Sequence, residues 1–139
     1  GCSMDAYLAD VAQVVPTTFG RDASESVTVL FMYATSDPYA VVARFSTTEG
    51  EVDWTFGREL LLDGTSFPVG EGDVKLAPEA NGQISLRLNS PSGQAKLFCD
   101  LSVVEAFLEQ SYELVPDGEE WRYCQMDQWL AELSGQASN

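Results

Sequence analysis

The chain has 139 residues, 45% of them hydrophobic, which fits one folded domain rather than a disordered segment. It carries 22 acidic and 7 basic residues, a net charge of −15, and no histidine. That balance argues against nucleic acid and anionic lipid as partners, since Lys and Arg supply most of the affinity for both. The absence of histidine removes Ser–His and Cys–His catalysis, and histidine metal sites with them.

No apolar run approaches the ~20 residues that span a bilayer, so no direct membrane insertion is expected. No basic segment precedes an apolar core in the manner of a signal peptide. The cations Arg21, Arg44, Arg58, Lys75, Arg87, Lys96 and Arg122 are scattered along the sequence and make a poor footprint for phosphate. Cys2, Cys99 and Cys124 form no CxxC pair, so a disulfide framework is not expected and the set suits a reducing cytoplasm.

Residues 1–6 read as frayed. Tyr7 to Val15 places Leu8, Val11, Val14 and Val15 at spacings that fit a helical face or an irregular strand, and Pro16 ends the segment. Thr17 to Ser26 is a polar loop. Val27 to Tyr33 is a strand, apolar on both faces after Thr28. Asp37-Pro38 opens a turn into a β-prone run, Tyr39 to Phe45. After a turn at Thr47–Gly50, Val52, Trp54 and Phe56 alternate with Asp53, Thr55 and Gly57, which predicts a strand with its large side chains on one face. Arg58 to Asp63 reads as a short helix, with Gly64 at the left-handed position beyond its end.

Thr65 to Gly72 is a glycine-rich loop containing Gly70 and Gly72. Asp73 to Ala77 is a short strand, and Ile84, Leu86 and Leu88 mark another. Ser90-Pro91-Ser92-Gly93 suits a tight turn into Gln94 to Cys99, the hairpin partner. Ser102-Val103-Val104-Glu105 matches a capping box, and Leu101, Val104, Phe107, Leu108 and Tyr112 follow at helical spacing. Pro116-Asp117-Gly118 breaks that helix, and Trp121 to Cys124 reads as an extended link. Asp127 begins a last helix with Trp129, Leu130 and Leu133 on one side. Residues 136–139 read as frayed.

The expected fold is therefore α+β in one domain over 1–139. It has mainly antiparallel sheets, a short helix after the fourth strand, three further strands and two C-terminal helices. Such sheets leave exposed edges, which strand pairing between subunits of an oligomer would cover.

Little in this order suggests chemistry. Glu119-Glu120 reads as a solvated loop. Val69-Gly70-Glu71-Gly72-Asp73 looks like a phosphate loop but lacks the lysine and precedes a strand, so it reads as a turn. Tyr33, Tyr39, Phe45, Trp54 and Phe56 form a candidate stacking platform, with core packing as the plainer role. Trp121 and Trp129 are the better candidates for contact with a protein partner, although helix docking on the sheet also accounts for them. Arg58 is read as capping near the short helix or pairing with Asp53 or Glu59. No catalytic residue, metal ligand or cofactor site is assigned.

The ordered residues Tyr33, Asp37-Pro38-Tyr39-Ala40-Val41 and Phe45 resemble the signature of the SsgA-like proteins of filamentous actinomycetes. The likeness continues through Val52, Trp54, Phe56, Arg58, Leu60-Leu61 and Gly64. It extends to Pro68, Gly70, Gly72-Asp73-Val74, Ser90-Pro91, Gly93 and Ala95. Weaker echoes are Phe107-Leu108, Val115-Pro116, Gly118, Glu120, Leu130 and Leu133. The resemblance, closest to SsgB-like members, implies a non-enzymatic cytoplasmic regulator of sporulation-specific division that recruits the tubulin-like protein FtsZ to division septa. It also implies a Whirly-like fold, a homotrimer, and contacts with other SsgA-like proteins. A single-stranded nucleic-acid binder of Whirly type is the alternative that fold analogy alone suggests.

Overall fold

The computed structural model describes residues 8–19 and 25–124. The first four strands are β1 (Val11–Phe19), β2 (Glu25–Tyr33), β3 (Ala40–Thr47) and β4 (Gly50–Gly57), followed by α1 (Arg58–Gly64). The next four are β5 (Val69–Glu71), β6 (Val74–Glu79), β7 (Gln83–Ser90) and β8 (Gly93–Asp100), followed by α2 (Leu101–Leu114). A single 3-10 turn at Ala80–Gly82 joins β6 to β7.

All eight strands lie in one antiparallel sheet of order β4-β3-β2-β1-β8-β7-β6-β5. Each half is a meander of sequential neighbours. The seam between them is short, since β1 meets β8 only at Thr17–Phe19 opposite Cys99–Leu97. The strands obey period two: Val29, Phe31 and Tyr33 point to one face of β2, and Ile84, Leu86 and Leu88 do the same on β7. Those faces share one core with Val15, Val41, Phe56, Leu76 and Leu97. The sheet curls about that core, because Trp54 on β4 and Leu88 on β7 line one groove of about 290 Å³ although four strands separate them.

The two helices close the core. Leu61 of α1 and Val104, Phe107 and Leu108 of α2 are buried in it. The Phe31 ring stands edge-on to Phe56 at 6.4 Å and to Phe107 at 5.7 Å, so the aromatic centre links β2, β4 and α2. α1 leaves β4 and packs on β5 and β6 of the other half, while α2 packs on β1.

Several expectations change. Pro16 does not end the first segment; β1 continues to Phe19 with Pro16 opposite Thr28. At Pro16 the strand pairs on one side only, since β1 meets β8 from Thr17 onward, and such an edge position tolerates proline. The second half has four strands, since Val69–Glu71 of the glycine-rich loop pairs with Val74–Leu76 as β5. Residues 120–124 are helical rather than extended. Gly64 is not left-handed: it is the last residue of α1, and a Cβ there would lie 2.6 Å from Leu76 Cβ. It is glycine because α1 approaches β6 closely. Gly72 and Gly93, at φ 59° and 145°, do sit at turns that require positive φ. The capping box is not formed, since α2 begins at Leu101 with Ser102 already inside it. Cys99 is free and buried, whereas Cys124 is disulfide-bonded, against the expectation of unpaired thiols. The helix expected after Asp127, with Trp129, lies outside the described residues.

Candidate functional site: a buried arginine hub and its exposed rim

Arg58 is the largest fully buried side chain among the described residues, at 1% exposure, although it opens α1 directly after the edge strand β4. Its guanidinium lies between two phenol rings, 4.8 Å from the Tyr33 centroid and 3.9 Å from that of Tyr112. Nη1 donates to the Ser111 carbonyl at 3.0 Å and Nη2 to Glu120 Oε2 at 2.9 Å. A cation at the start of a helix is badly placed for that helix's dipole. Here the same charge serves the C-terminal end of α2, where Ser111 also accepts the Val115 amide.

The flanking motif residues deliver these partners. The Tyr33 hydroxyl donates to the Pro38 carbonyl at 3.0 Å, holding the β2–β3 turn, and Pro38 is fully buried. The Arg58 amide donates to the Tyr39 carbonyl at 2.8 Å, so that turn also fixes the start of α1. Pro116–Glu119 is a hydrogen-bonded turn with Gly118 at φ 86°. The Gly118 amide donates to Glu120 Oε1 at 2.8 Å, aiming the other carboxylate oxygen at Arg58.

Burial pushes the Tyr112 phenol up to about 12 and moves Tyr33 further in the same direction, against the pull of Arg58. Burial also pushes the Glu120 carboxyl up. Backbone amides and the Arg58 guanidinium outweigh it and leave Glu120 below the ordinary carboxylate range. The Cys99 thiol is pushed up to about 12 by burial, which makes it a poor nucleophile. Within the hub, then, burial keeps the two phenols protonated, and the guanidinium is paired with the Glu120 carboxylate. Among the described residues no group of three or more Cys, Asp or Glu side chains is placed to hold a metal ion. No helix among them is long and apolar enough to cross a membrane.

The hub therefore gathers Tyr33, Pro38 and Arg58. Phe56 lies beneath in the core, and Trp54 is half-buried against that core. Tyr39 departs from the core reading and is 51% exposed. Asp37 stays in the β2–β3 turn, where its amide donates to Ala34. Gly64, Gly70, Gly72, Asp73, Pro91 and Gly93 lie elsewhere, in the α1–β6 contact and the β5–β6 and β7–β8 hairpins.

Arg58 pairs with neither Asp53 nor Glu59. Asp53 instead takes two bonds from Arg44 across β3 and β4, at 2.8 and 3.0 Å, and Arg44 holds its carboxyl below the ordinary range. Glu120 is the hub residue whose part in the site the sequence did not reveal. It is not a solvated loop residue but the 12%-exposed partner of a buried cation 62 positions away. The signals available were the Pro116-Asp117-Gly118 turn just before it and its place among the weaker family echoes.

Around the hub's mouth Trp121 is 49% exposed beside Glu120, and Arg122 lies 5.5 Å from its ring. Tyr123 donates to the Leu114 carbonyl at 3.0 Å, and both residues are partly exposed. Trp121 is thus presented outward rather than docked on the sheet.

The fold is thus one antiparallel sheet with helices, whose motif residues build a packed joint with an aromatic rim. Residues 27–120 match the family described as Streptomyces sporulation and cell division protein, SsgA. The chain belongs to that SsgA family. It is 40% identical over 105 residues to the sporulation-specific cell division protein SsgB of Streptomyces coelicolor, covering 73% of this chain and 77% of that one. It is 38% identical over 133 residues to SsgB of Frankia casuarinae, covering 93% and 92%. The match to SsgB of Kineococcus radiotolerans, at 41% identity, spans 73% of this chain and 64% of that longer one.

Two solved structures share the fold. One is the SsgA-like sporulation-specific cell division protein of Thermobifida fusca, with TM-score 0.78, 34% identity and coverage of 88% and 93%. The other is SsgB of S. coelicolor, whose mutations correlate with longitudinal cell division during sporulation. It has TM-score 0.76, 32% identity and coverage of 86% and 99%.

Proposed function

We propose that this chain is a non-enzymatic regulator of sporulation-specific cell division, acting in the cytoplasm at division septa by recruiting FtsZ. The observation that carries this is its membership of the SsgA family, with SsgB proteins of sporulating actinomycetes at about 40% identity over most of its length. The hub gives physical support: its residues are spent on packing and hydrogen bonds, which suits a scaffold that works through its surface. On this reading Trp121, with Trp129, contacts the partner. The chain forms one Whirly-like domain and a homotrimer in which the edge strands β4 and β5 pair between subunits, alongside other SsgA-like proteins.

The test is co-sedimentation of the purified protein with FtsZ polymers, alone and with a partner SsgA-like protein. Binding that Trp121→Ala weakens about tenfold or more is the expected outcome. Absence of binding under both conditions overturns direct recruitment. A sedimentation mass equal to the monomer at micromolar concentration overturns the trimer.

A further inference from the structure

Three of the chain's 7 cations stand in one row on the outer face of the second half. Lys75 on β6 lies opposite Arg87 on β7, and Arg87 lies opposite Lys96 on β8. Neighbouring strands are about 4.8 Å apart, so the row puts three positive charges within roughly 10 Å. Like charges directly opposite one another in a sheet are unfavourable. No carboxylate interrupts the row: among the described residues neither Lys75 nor Arg87 has an ion-pair partner, and Lys96 rests 5.3 Å from the Phe98 ring. Among the residues that line the groove around them one is acidic, Glu79, and it accepts a hydrogen bond from the Ser85 hydroxyl at 2.9 Å.

The row lies in an open groove of about 410 Å³. Pro68, Val69 and Gly70 form one wall. Gly70 extends the row to the edge strand, since it lies opposite Lys75. A Cβ there would come within 3.0 Å of the Lys75 side chain, so glycine leaves the lysine its position over β5.

We propose that this row is an anion site that docks a short carboxylate-rich segment of a protein partner. In a molecule of net charge −15, three adjacent cations make a local well of opposite sign, which attracts an acidic segment and sets its position. A nucleic acid fits less well. It would lay a continuous run of phosphates against an acidic molecule, while the basic row ends after three residues. The groove's mixed wall of proline, valine, alanine and charged groups suits peptide side chains better than a sugar–phosphate backbone. The site is separate from the Trp121 rim and does not rest on the recruitment reading.

The experiment follows fluorescence anisotropy of a short labelled peptide alternating glutamate and serine, at low salt, with a glutamine–serine peptide and oligothymidylate as comparators. The glutamate peptide is expected to bind the wild type. The triple variant Lys75→Gln, Arg87→Gln, Lys96→Gln is expected to bind it about tenfold more weakly, and Arg87→Gln alone about twofold to threefold more weakly. Arg44→Gln removes an equal charge on the first half and is expected to leave binding unchanged; Trp121→Ala is expected to leave it unchanged too. Binding that is the same in wild type and Arg87→Gln, or lost equally in Arg44→Gln, overturns the site. So does equal binding of the glutamine peptide, or tighter binding of oligothymidylate.

Discussion

β1–β4 with α1 and β5–β8 with α2 are each a four-stranded antiparallel meander that runs straight into a helix, yet they treat their charges differently. In the first half Arg44 faces Asp53 across one strand pair and takes two hydrogen bonds to it. In the second half, at comparable positions on the outer face, Lys75, Arg87 and Lys96 face one another. The helices differ as well. α2 has 14 residues and an apolar stripe of its own, with Val104, Phe107 and Leu108 buried. α1 has 7 residues, begins with a buried arginine and depends on partners from the other half. A helix that short has little stability alone. Its place is fixed from outside, by Ser111 and Glu120 at one end and Leu76 at the other.

The sharpest way to break that dependence is at Arg58. Arg58→Ala removes the charge that balances Glu120 and empties the space between Tyr33 and Tyr112. The expected loss is about 3–5 kcal/mol of unfolding free energy, read from urea denaturation. A loss below about 1 kcal/mol would mean that the hub does not hold the halves together. Glu120→Gln keeps the shape and is expected to cost about 1.5–3 kcal/mol at neutral pH. Because the folded Glu120 carboxyl lies below its ordinary range, its contribution is present above the unfolded pKa of about 4.3 and fades as pH falls through the folded value. The gap between wild type and Glu120→Gln should therefore close in acid. A gap that stays constant, or widens, would show that Glu120 acts through packing instead.

The next largest effect is expected at the other end of α1. Gly64→Ala places a methyl group 2.6 Å from Leu76 Cβ, so the helix must shift away from β6 at a cost of about 1–3 kcal/mol. Gly64→Asn should be worse, since the larger side chain meets the same wall. If asparagine proves milder than alanine in thermal melts, the left-handed reading of Gly64 returns.

These contacts mark the boundary of what the sequence could reveal. Period-two runs announced β4 and β7, a continuous β-prone apolar run announced β2, and the stripe of Leu101, Val104, Phe107, Leu108 and Tyr112 announced α2, because all three are local signals. β5 was hidden because Val69–Glu71 has two small or charged residues of three and becomes a strand only by pairing with β6. β1 was cut at Pro16 because nothing local reveals that the strand pairs on one side only at that point. Within the hub, Tyr33, Pro38 and Arg58 stood out as family residues, but their meeting was not legible. Arg58 and Glu120 are 62 positions apart, and the nearer acids Asp53 and Glu59 were the more economical guesses. The cation row was hidden in the same way: Lys75, Arg87 and Lys96 look scattered in sequence and become neighbours only through the register of three strands.

A smaller effect tests the first half's surface pair. Arg44 and Asp53 are 35% and 42% exposed, so their two-bond geometry is worth at most about 1 kcal/mol and is screened by salt. Asp53→Asn should lower the urea midpoint slightly at neutral pH. Since Arg44 lowers the Asp53 pKa, the difference should vanish as pH falls through the folded value. Charge removal in the second half should do the opposite. Arg87→Gln relieves two like-charge contacts and is expected to leave the melting temperature unchanged or slightly raised. If both substitutions lower stability equally, the contrast between the two outer faces has no energetic content.

The smallest effect concerns how α2 begins. A Ser102 capping box would make Ser102→Ala cost about 1 kcal/mol. In the structure α2 starts at Leu101, Asp100 is the residue before its first turn, and neither Asp100 nor Ser102 makes a side-chain cap bond. Ser102→Ala should therefore stay within about 0.5 kcal/mol of the wild type. Asp100→Ala should cost somewhat more, because Asp100 is the N-cap residue of a helix of 14 residues and its negative charge lies at the positive end of the helix dipole. The reverse order, with serine mattering more than aspartate, would move the start of α2 by two residues. It would also give the second half's helix a local anchor of the kind that α1, with Gly57 at its N-cap, does not have.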